Sequence, residues 1–148
     1  MPEVTRTALV MYSADQMYQL VNDVARYPEF LPGCVATDII EASDTHMLAK
    51  MTLKKGPISQ EFSTSNTLQP GELIAMSLSD GPFESLEGRW KFIPLADNAC
   101  KIEFSMAFEF KSSLVGAAFN QIFSELTLSQ IDAFTKRARD VYGESDAS

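Results

Sequence analysis

The sequence has little of the residue types that build metal centres, disulfide frameworks and nucleophilic catalytic sites. Its 148 residues include two cysteines and one histidine. Cys34 and Cys100 lie far apart and form no spacing that is typical of a metal site. We interpret both as buried small side chains in a reducing compartment. His46 begins a strand on its solvent-facing side, which favours a surface histidine over a catalytic base. The sequence therefore predicts no metal site and no catalytic residue.

Long apolar runs and an excess of positive charge are also absent. No stretch of about 18 apolar residues is present, as a transmembrane helix requires. The N-terminus has neither the basic region nor the apolar region of a signal peptide. Twelve Lys and Arg residues against twenty Asp and Glu residues give a net charge of −8, which argues against broad contact with a phosphate backbone. These features predict a cytoplasmic protein that does not bind DNA and that makes at most transient contact with a membrane.

The longest regular pattern in the chain lies at its C-terminal end. Residues 112–142 contain no proline, and their one interior glycine is Gly116. Apolar residues recur at spacings of three and four, which indicates an amphipathic helix with a wide apolar stripe. Ser112 or Ser113 is expected to cap its N-terminus, and Gly143 its C-terminus. The pattern predicts one uninterrupted helix over residues 112–142, covering a large apolar surface.

Most of the remaining chain is predicted to form strands. The region from Glu3 to Met11 is the first strand, and Ser13 with Gln16 forms a capping box that begins a short helix. Pro28 prevents that helix from continuing, so residues 26–34 are predicted to be an aromatic-rich elbow or a second short helix. Alternating strands separated by turns then extend to Phe110. The prediction is an α+β fold, β-αα-ββββββ-α, in which a curved antiparallel sheet of about seven strands wraps around the C-terminal helix. Residues 1–143 would be one domain and residues 144–148 a frayed acidic tail.

This order of elements resembles that of the START-like, or helix-grip, proteins. More specifically, the chain resembles the coenzyme-Q-binding START-like proteins and their bacterial relatives, the ribosome-association toxins of the RatA type. The resemblance covers nearly the whole chain, and the stretches that carry it are Arg26–Cys34, Asp80–Phe83, Leu86–Trp90 with Phe92, and Phe108–Leu114. One departure is Gly33, where many relatives carry an aromatic residue. The resemblance implies a cavity between the sheet and the long helix that holds a hydrophobic molecule such as ubiquinone, with a link to respiration. It also implies an alternative, a toxin that binds the large ribosomal subunit and blocks subunit joining.

The residue types suit a ligand-binding protein better than an enzyme. Aromatic and methionine side chains on the predicted inner face are the expected lining of the cavity: Tyr27, Phe30, Phe62, Trp90, Phe104, Met106, Phe119 and Phe123. The competing interpretation is that they pack against one another as ordinary core. Gln60, Thr64 and Asn66 are the polar residues expected inside, and neutral amides and hydroxyls are poor proton-transfer groups. We therefore predict a non-enzymatic protein with no cofactor other than a bound ubiquinone or lipid. A cyclase-like enzyme is the third alternative.

A cluster of cations marks the alternative function. Lys136, Arg137 and Arg139 are the residues expected to contact the large ribosomal subunit if the chain acts on ribosomes. The same cluster is also explained by the negative end of the helix dipole. The sequence leaves these two interpretations open.

Overall fold

A computed structural model of the chain describes residues 3–81, 83–110, 123–125 and 127–143. The strands are β1 (Glu3–Val10), β2 (Cys34–Ala42), β3 (His46–Lys55), β4 (Ile58–Gln69), β5 (Leu73–Asp80), β6 (Phe83–Ala96) and β7 (Ala99–Phe110). The helices are α1 (Ala14–Asn22), a 3₁₀ helix (Val24–Glu29) and α2 (Gln130–Tyr142). All neighbouring strands are antiparallel, in the order β1-β7-β6-β5-β4-β3-β2. The predicted α+β fold with about seven strands is confirmed.

Alternation of apolar and polar residues decides which side of the sheet faces the helices. On β7, Ile102, Phe104 and Phe108 are fully buried, while the alternating residues Lys101 and Glu103 form an ion pair on the opposite side. The strand register continues these rows across the sheet: Phe104 lies opposite Trp90, and Trp90 opposite Ile74. Because side chains alternate between the two faces of a strand, one inner face collects the apolar side chains. That face carries the core.

The start of α1 follows the predicted capping box. The Gln16 backbone N–H donates to Ser13 Oγ at 3.0 Å, and the Ser13 backbone N–H donates to Gln16 Oε1 at 3.0 Å. These two bonds satisfy two N–H groups that a helix terminus otherwise leaves free. The helix then turns Met17 and Val21 inward, and Tyr18 packs edge-on against Phe92 with ring centroids 5.8 Å apart. Local sequence therefore sets where α1 begins, and the sheet fixes how it packs.

The C-terminal helix is confirmed in its described part, with one correction. Residues 123–125 and 127–128 are helical, but a turn at Ser129 separates them from α2, so the uninterrupted helix that we predicted is wrong at this point. The Thr127 hydroxyl donates to the carbonyl of Phe123 at 2.6 Å. Thr135 makes the same kind of bond to the carbonyl of Ile131 at 2.8 Å inside α2, so this bond alone does not interrupt a helix. Gly143 ends α2 with the positive φ expected of a C-cap, +85°.

Residues 111–122, with both predicted N-caps, lie outside the described residues, as does the tail of residues 144–148. The division of the chain at residue 143 stays a prediction. Among the helices that the structure describes, none has the length and apolar character needed to cross a membrane.

Candidate functional site

The elbow between α1 and β2 is held by its own aromatic residues. Its 3₁₀ helix carries Pro28, and the backbone N–H of Leu31 donates to the carbonyl of Tyr27 at 2.8 Å. The Tyr27 hydroxyl is buried and donates to the carbonyl of Val21, so the elbow folds back onto α1. Burial raises the pKa of Tyr27 far above its ordinary value. Tyr27 therefore stays neutral at physiological pH and acts as a hydrogen-bond donor.

Phe134 of α2 joins this elbow to the sheet. Its fully buried ring meets Tyr27 and Phe30 edge-on, each with centroids 5.3 Å apart, and meets Trp90 at 5.2 Å. Three residues predicted to line a cavity, Tyr27, Phe30 and Trp90, are thus brought together around a fourth aromatic ring. The helical pattern marked Phe134 as a buried residue, but spacing alone does not reveal which rings it meets.

An ion pair closes the outside of the same junction, and we call Glu29, Phe30 and Arg137 the elbow clamp. Arg137 Nη2 donates to Glu29 Oε1 at 2.8 Å, and the guanidinium carbon lies 4.9 Å from the Phe30 ring centroid. The Arg137 side chain is only 18% exposed. A planar guanidinium suits this combination of carboxylate pairing and ring stacking. Of the three residues predicted to contact the ribosome, Arg137 is therefore already engaged by Glu29 and Phe30. Lys136 and Arg139 are exposed.

A second aromatic cluster lies further along the sheet. Phe123 meets Phe62 at 5.9 Å, Phe83 at 5.1 Å and Phe108 at 4.8 Å, all edge-on. Two of the predicted lining residues, Phe62 and Phe123, thus contact each other directly.

The other predicted lining residues are placed as follows. Phe104 packs against Trp90 with ring centroids 4.4 Å apart and the ring planes tilted by 33°. Met106 reaches over Gly88, where a Cβ atom would lie 2.8 Å from its Sδ atom. Phe119 lies outside the described residues. No open space separates the rings of Phe104 and Trp90.

A small internal cavity remains beneath the elbow, between α1, the 3₁₀ helix and the inner face of the sheet. Its volume is about 40 Å³, and its lining includes Asn22, Tyr27, Phe62, Thr64, Asn66 and Trp90. The Oδ1 atoms of Asn22 and Asn66 are buried and have no hydrogen-bond partner in the described part of the chain. Unpaired buried acceptors are rare in native structures because each forfeits its bonds to water. The polar residue Asn66 was predicted to face inward, and it does; Asn22 was not predicted, because it falls on the polar side of a short helix.

Two surface grooves are larger than this cavity. One, of about 590 Å³, runs between α1, the elbow and α2, with Asn22, Phe30, Arg137 and Tyr142 in its walls. Asn22 therefore separates this groove from the internal cavity. The other, of about 460 Å³, crosses the outer face of the sheet near Arg89 and Ser105.

The titratable groups do not form a catalytic cluster in the described residues. No group of three or more His, Cys, Asp or Glu side chains there could hold a metal ion. His46 Nε2 lies 2.7 Å from Ser65 Oγ. Cys34 and Cys100 are buried free thiols, as predicted, and burial raises the pKa of each to about 11. Neither thiol is a nucleophile at neutral pH, because the thiolate is the reactive form.

Comparisons with known proteins agree with the observed fold and identify a family and relatives that the chain is similar to. Residues 10–135 match the protein family described as polyketide cyclase / dehydrase and lipid transport. The chain is 55% identical over 144 residues to the ribosome association toxin RatA of Vibrio cholerae serotype O1, covering 97% of this chain and 100% of the relative. It is 33% identical over 140 residues to the mitochondrial coenzyme Q-binding protein COQ10 of Drosophila melanogaster, covering 91% of this chain and 57% of that protein.

A solved structure shares the fold at much lower sequence identity. The Zhui aromatase/cyclase from Streptomyces sp. R1128 superposes with a TM-score of 0.82, covering 95% of each chain, at 16% identity. Identity at that level shows a common fold and carries no conclusion about a reaction.

Proposed function

The chain belongs to the polyketide cyclase / dehydrase and lipid transport family, and from that premise we propose that it acts as a ribosome association toxin. In this proposal the protein binds the large ribosomal subunit in the cytoplasm and blocks its joining to the small subunit. The observation that carries the proposal is the 55% identity to a relative of that name, which extends over 97% of this chain and 100% of the relative. No part of the relative is left without a counterpart here.

Charge on α2 supports a contact surface for the ribosome. Lys136 and Arg139 are exposed and take part in none of the ion pairs found among the described residues. Their separation of three positions puts them on one side of the helix. Arg137 is excluded from this surface because Glu29 and Phe30 engage its guanidinium. Two unpaired cations on one side of α2 suit a local contact with ribosomal phosphate in a chain whose net charge is −8.

The test is subunit association in vitro. Purified protein is added to separated ribosomal subunits, and joined ribosomes are resolved from free subunits by sucrose-gradient sedimentation. The wild-type protein is expected to increase the free subunits, and Lys136→Glu combined with Arg139→Glu to weaken that effect roughly tenfold or more, because charged hydrogen bonds contribute about 1.5–3 kcal/mol each.

A matched control separates a local contact from general electrostatics. Arg6→Glu combined with Arg89→Glu makes the same charge change at two exposed arginines of the sheet. This control is expected to act like the wild-type protein. A wild-type protein that leaves joined ribosomes intact contradicts the function, and equal effects of the two double variants contradict the α2 surface.

Binding of a hydrophobic ligand, ubiquinone or a related isoprenoid lipid, is the second candidate. It is supported by the 33% identity to a relative named as coenzyme Q-binding and by the apolar walls of the internal cavity, where Trp90 and Phe62 lie. The volume of about 40 Å³ is small beside the roughly 300–1,000 Å³ of sites for drug-sized ligands. Native mass spectrometry of freshly purified protein, with organic extraction, tests this candidate. A stoichiometric lipid is the expected result, and protein that stays empty after incubation with added ubiquinone contradicts it.

A cyclase-like reaction is less well supported. Acid–base catalysis inside the protein needs a side chain that gains or loses a proton near neutral pH. The polar groups that line the internal cavity are the amides of Asn22 and Asn66 and the hydroxyls of Thr64 and Tyr27. That the chain is not an enzyme therefore stays our prediction.

A further inference from the structure

The two edges of the sheet differ in how well they are protected against the addition of another strand. In the strand order that the structure describes, β1 is one edge and β2 is the other. The pairing of β2 with β3 is broken at two β-bulges, which leave Val35 and Ile40 outside the register and about half exposed. Bulges protect edge strands because they twist the free edge away from a second strand. The β2 edge is therefore poorly suited to pairing.

The β1 edge lacks this protection. Its register with β7 is unbroken over the whole strand, from Glu3 to Val10. The strand contains no proline and no lysine, and its last four residues are uncharged. Thr5, Arg6 and Thr7 are all exposed although neighbouring side chains point to opposite faces, so no described element covers either face of the strand at these residues. The free edge of β1 therefore presents a regular row of main-chain N–H and C=O groups that a second strand can pair with.

Exposed apolar side chains lie on and beside this edge. Leu9 of β1 is 74% exposed, the highest value among the large apolar side chains that the structure describes. Leu9 lies opposite Lys101 on β7, and Lys101 lies opposite Ile93 on β6, so Leu9 and Ile93 flank Lys101 on the outer face. Leu95, at the bulge that follows Ile93, is also exposed. Exposed apolar residues grouped at one end of neighbouring strands are typical of an interaction site.

A second copy of the chain fits this edge. Because only one of the two edges suits pairing, association between copies closes at a dimer and does not continue into a fibre. Two copies related by a two-fold axis perpendicular to the sheet pair antiparallel, and residues that face the same side lie opposite each other. Centring the pair on Arg6 would place like charges directly opposite, which is destabilising. Centring it on Thr7 instead places Arg6 opposite Ala8 of the second copy, and Leu9 opposite Thr5.

The register centred on Thr7 also uses the edge most fully. It pairs residues 4–10, seven residues of each copy, whereas centring on Thr5 or Ala8 pairs only five, residues 3–7 or 6–10. Val4 then lies opposite Val10 of the second copy on the inner face, and the two Thr7 side chains meet on the outer face. Cross-strand pairs of β-branched residues stabilise sheets.

We propose that the protein forms a two-fold dimer in which the β1 strands of two copies pair antiparallel, centred on Thr7, and join two seven-stranded sheets into one. Seven paired residues give an edge about 24 Å long and about 10 Å deep. That is small beside the roughly 800 Å² that each partner contributes to a standard interface, so the dimer forms in a concentration-dependent way. The inference depends on neither candidate function.

A disulfide across the two-fold axis tests the register. Thr7→Cys places two thiols directly opposite each other, close to the separation that a disulfide requires. Thr5→Cys is the matched control, because it changes another exposed threonine of the same face, but the two copies of residue 5 lie about 13 Å apart along the strands. Cys34 and Cys100 are buried and do not compete. Under mild oxidation Thr7→Cys is expected to form the covalent dimer roughly tenfold or more faster than Thr5→Cys.

Sedimentation equilibrium over a range of protein concentrations tests the dimer without a crosslink. The mass of the wild-type protein is expected to rise from that of one chain towards that of two. Leu9→Lys adds a charge to the β1 edge and should weaken dimer formation about tenfold or more. Ile40→Lys makes the same kind of change at an exposed residue of the β2 edge and should leave the dimer intact.

Four results would overturn the inference. They are a wild-type protein that stays monomeric at every concentration, a mass that rises beyond two chains, equal crosslinking of Thr7→Cys and Thr5→Cys, and equal effects of Leu9→Lys and Ile40→Lys. Leu9 and Ile40 are both exposed in the single chain, so both lysine variants are expected to fold, and circular dichroism checks that they do.

Discussion

The role of Arg137 in the elbow clamp can be tested, because its two interpretations predict different effects on stability. If Arg137 is an exposed ribosome contact, its replacement leaves stability unchanged. If it joins α2 to the elbow, its replacement destabilises the fold. The geometry favours the second outcome, because the guanidinium meets Glu29 at 2.8 Å and Phe30 at 4.9 Å and is 18% exposed.

The expected magnitude follows from the two contacts of Arg137. Glu29 is 48% exposed, so the ion pair is screened by solvent and contributes about 0.5–1 kcal/mol. The contact with the Phe30 ring adds roughly 0.5–1 kcal/mol. Arg137→Gln is therefore expected to lower the free energy of unfolding by about 1–2 kcal/mol, and Tm by roughly 2–8 °C for a chain of this size.

A double-mutant cycle isolates the ion pair. Glu29→Gln and Arg137→Gln are measured alone and together by urea unfolding, followed by Trp90 fluorescence. The coupling energy is expected to be about 0.5–1 kcal/mol and to fall with added salt. Glu29 also lies 3.3 Å from Arg26, so Arg26→Gln is the control and should leave the coupling in place. Additivity of the two single changes within about 0.3 kcal/mol would refute the clamp.

Three further predictions concern the core. Phe134→Ala removes a fully buried ring and should cost about 3–5 kcal/mol of unfolding free energy by urea titration, whereas a loss below about 1 kcal/mol would contradict the packing described. Gly81→Ala should cost about 2 kcal/mol or more, because φ is +152° and the new Cβ would lie 2.7 Å from the Cβ of Phe62. Gly88→Ala, which meets only methionine ends, is its control and should cost less than about 1 kcal/mol in the same assay. Burial raises the pKa of Cys34 and Cys100 from 9.0 to about 11, so the unfolded chain loses these protons first and stability should fall as pH rises between those values; in the Cys34→Ala, Cys100→Ala variant the fall should be smaller, and an unchanged pH profile would contradict the burial of the thiols.

Local rules predicted the features of this protein that depend on neighbouring residues. The capping box of Ser13 and Gln16 lies within one turn, and its two bonds are present as expected. Alternation along β7 likewise identified the inward residues, since the period of a strand fixes the face of each side chain. The interruption at Ser129 was missed because the apolar stripe continues through it, from Phe123 to Ile131.

Features that depend on distant residues could not be predicted in this way. Glu29 and Arg137 are 108 positions apart, and each has an ordinary local explanation, as an elbow carboxylate and as a cation near a helix C-terminus. Cavity volume is also a property of packing. Phe62 and Phe123 were expected to face an open space, but their rings meet each other. Sequence identified the residue types on the inner face, and only the arrangement of their rings decides how much space is left.

The two candidate functions can be separated because they use different parts of the molecule. Ribosome contact requires exposed cations on α2, such as Lys136, which lie on the side of the helix away from the sheet. In the second candidate function, the ligand occupies the internal cavity beneath the elbow. The elbow clamp lies between these two regions, since Arg137 belongs to α2 and Glu29 to the 3₁₀ helix that roofs the cavity. Arg137→Gln, which opens the clamp, should therefore change ligand binding in the internal cavity and leave ribosome association unchanged, whereas Lys136→Glu should weaken ribosome association and leave ligand binding unchanged. If occupancy of the cavity changes ribosome association in the wild-type protein but not in Arg137→Gln, the clamp couples the two sites. The contact between Arg137 and Glu29 would then explain how one protein combines both activities.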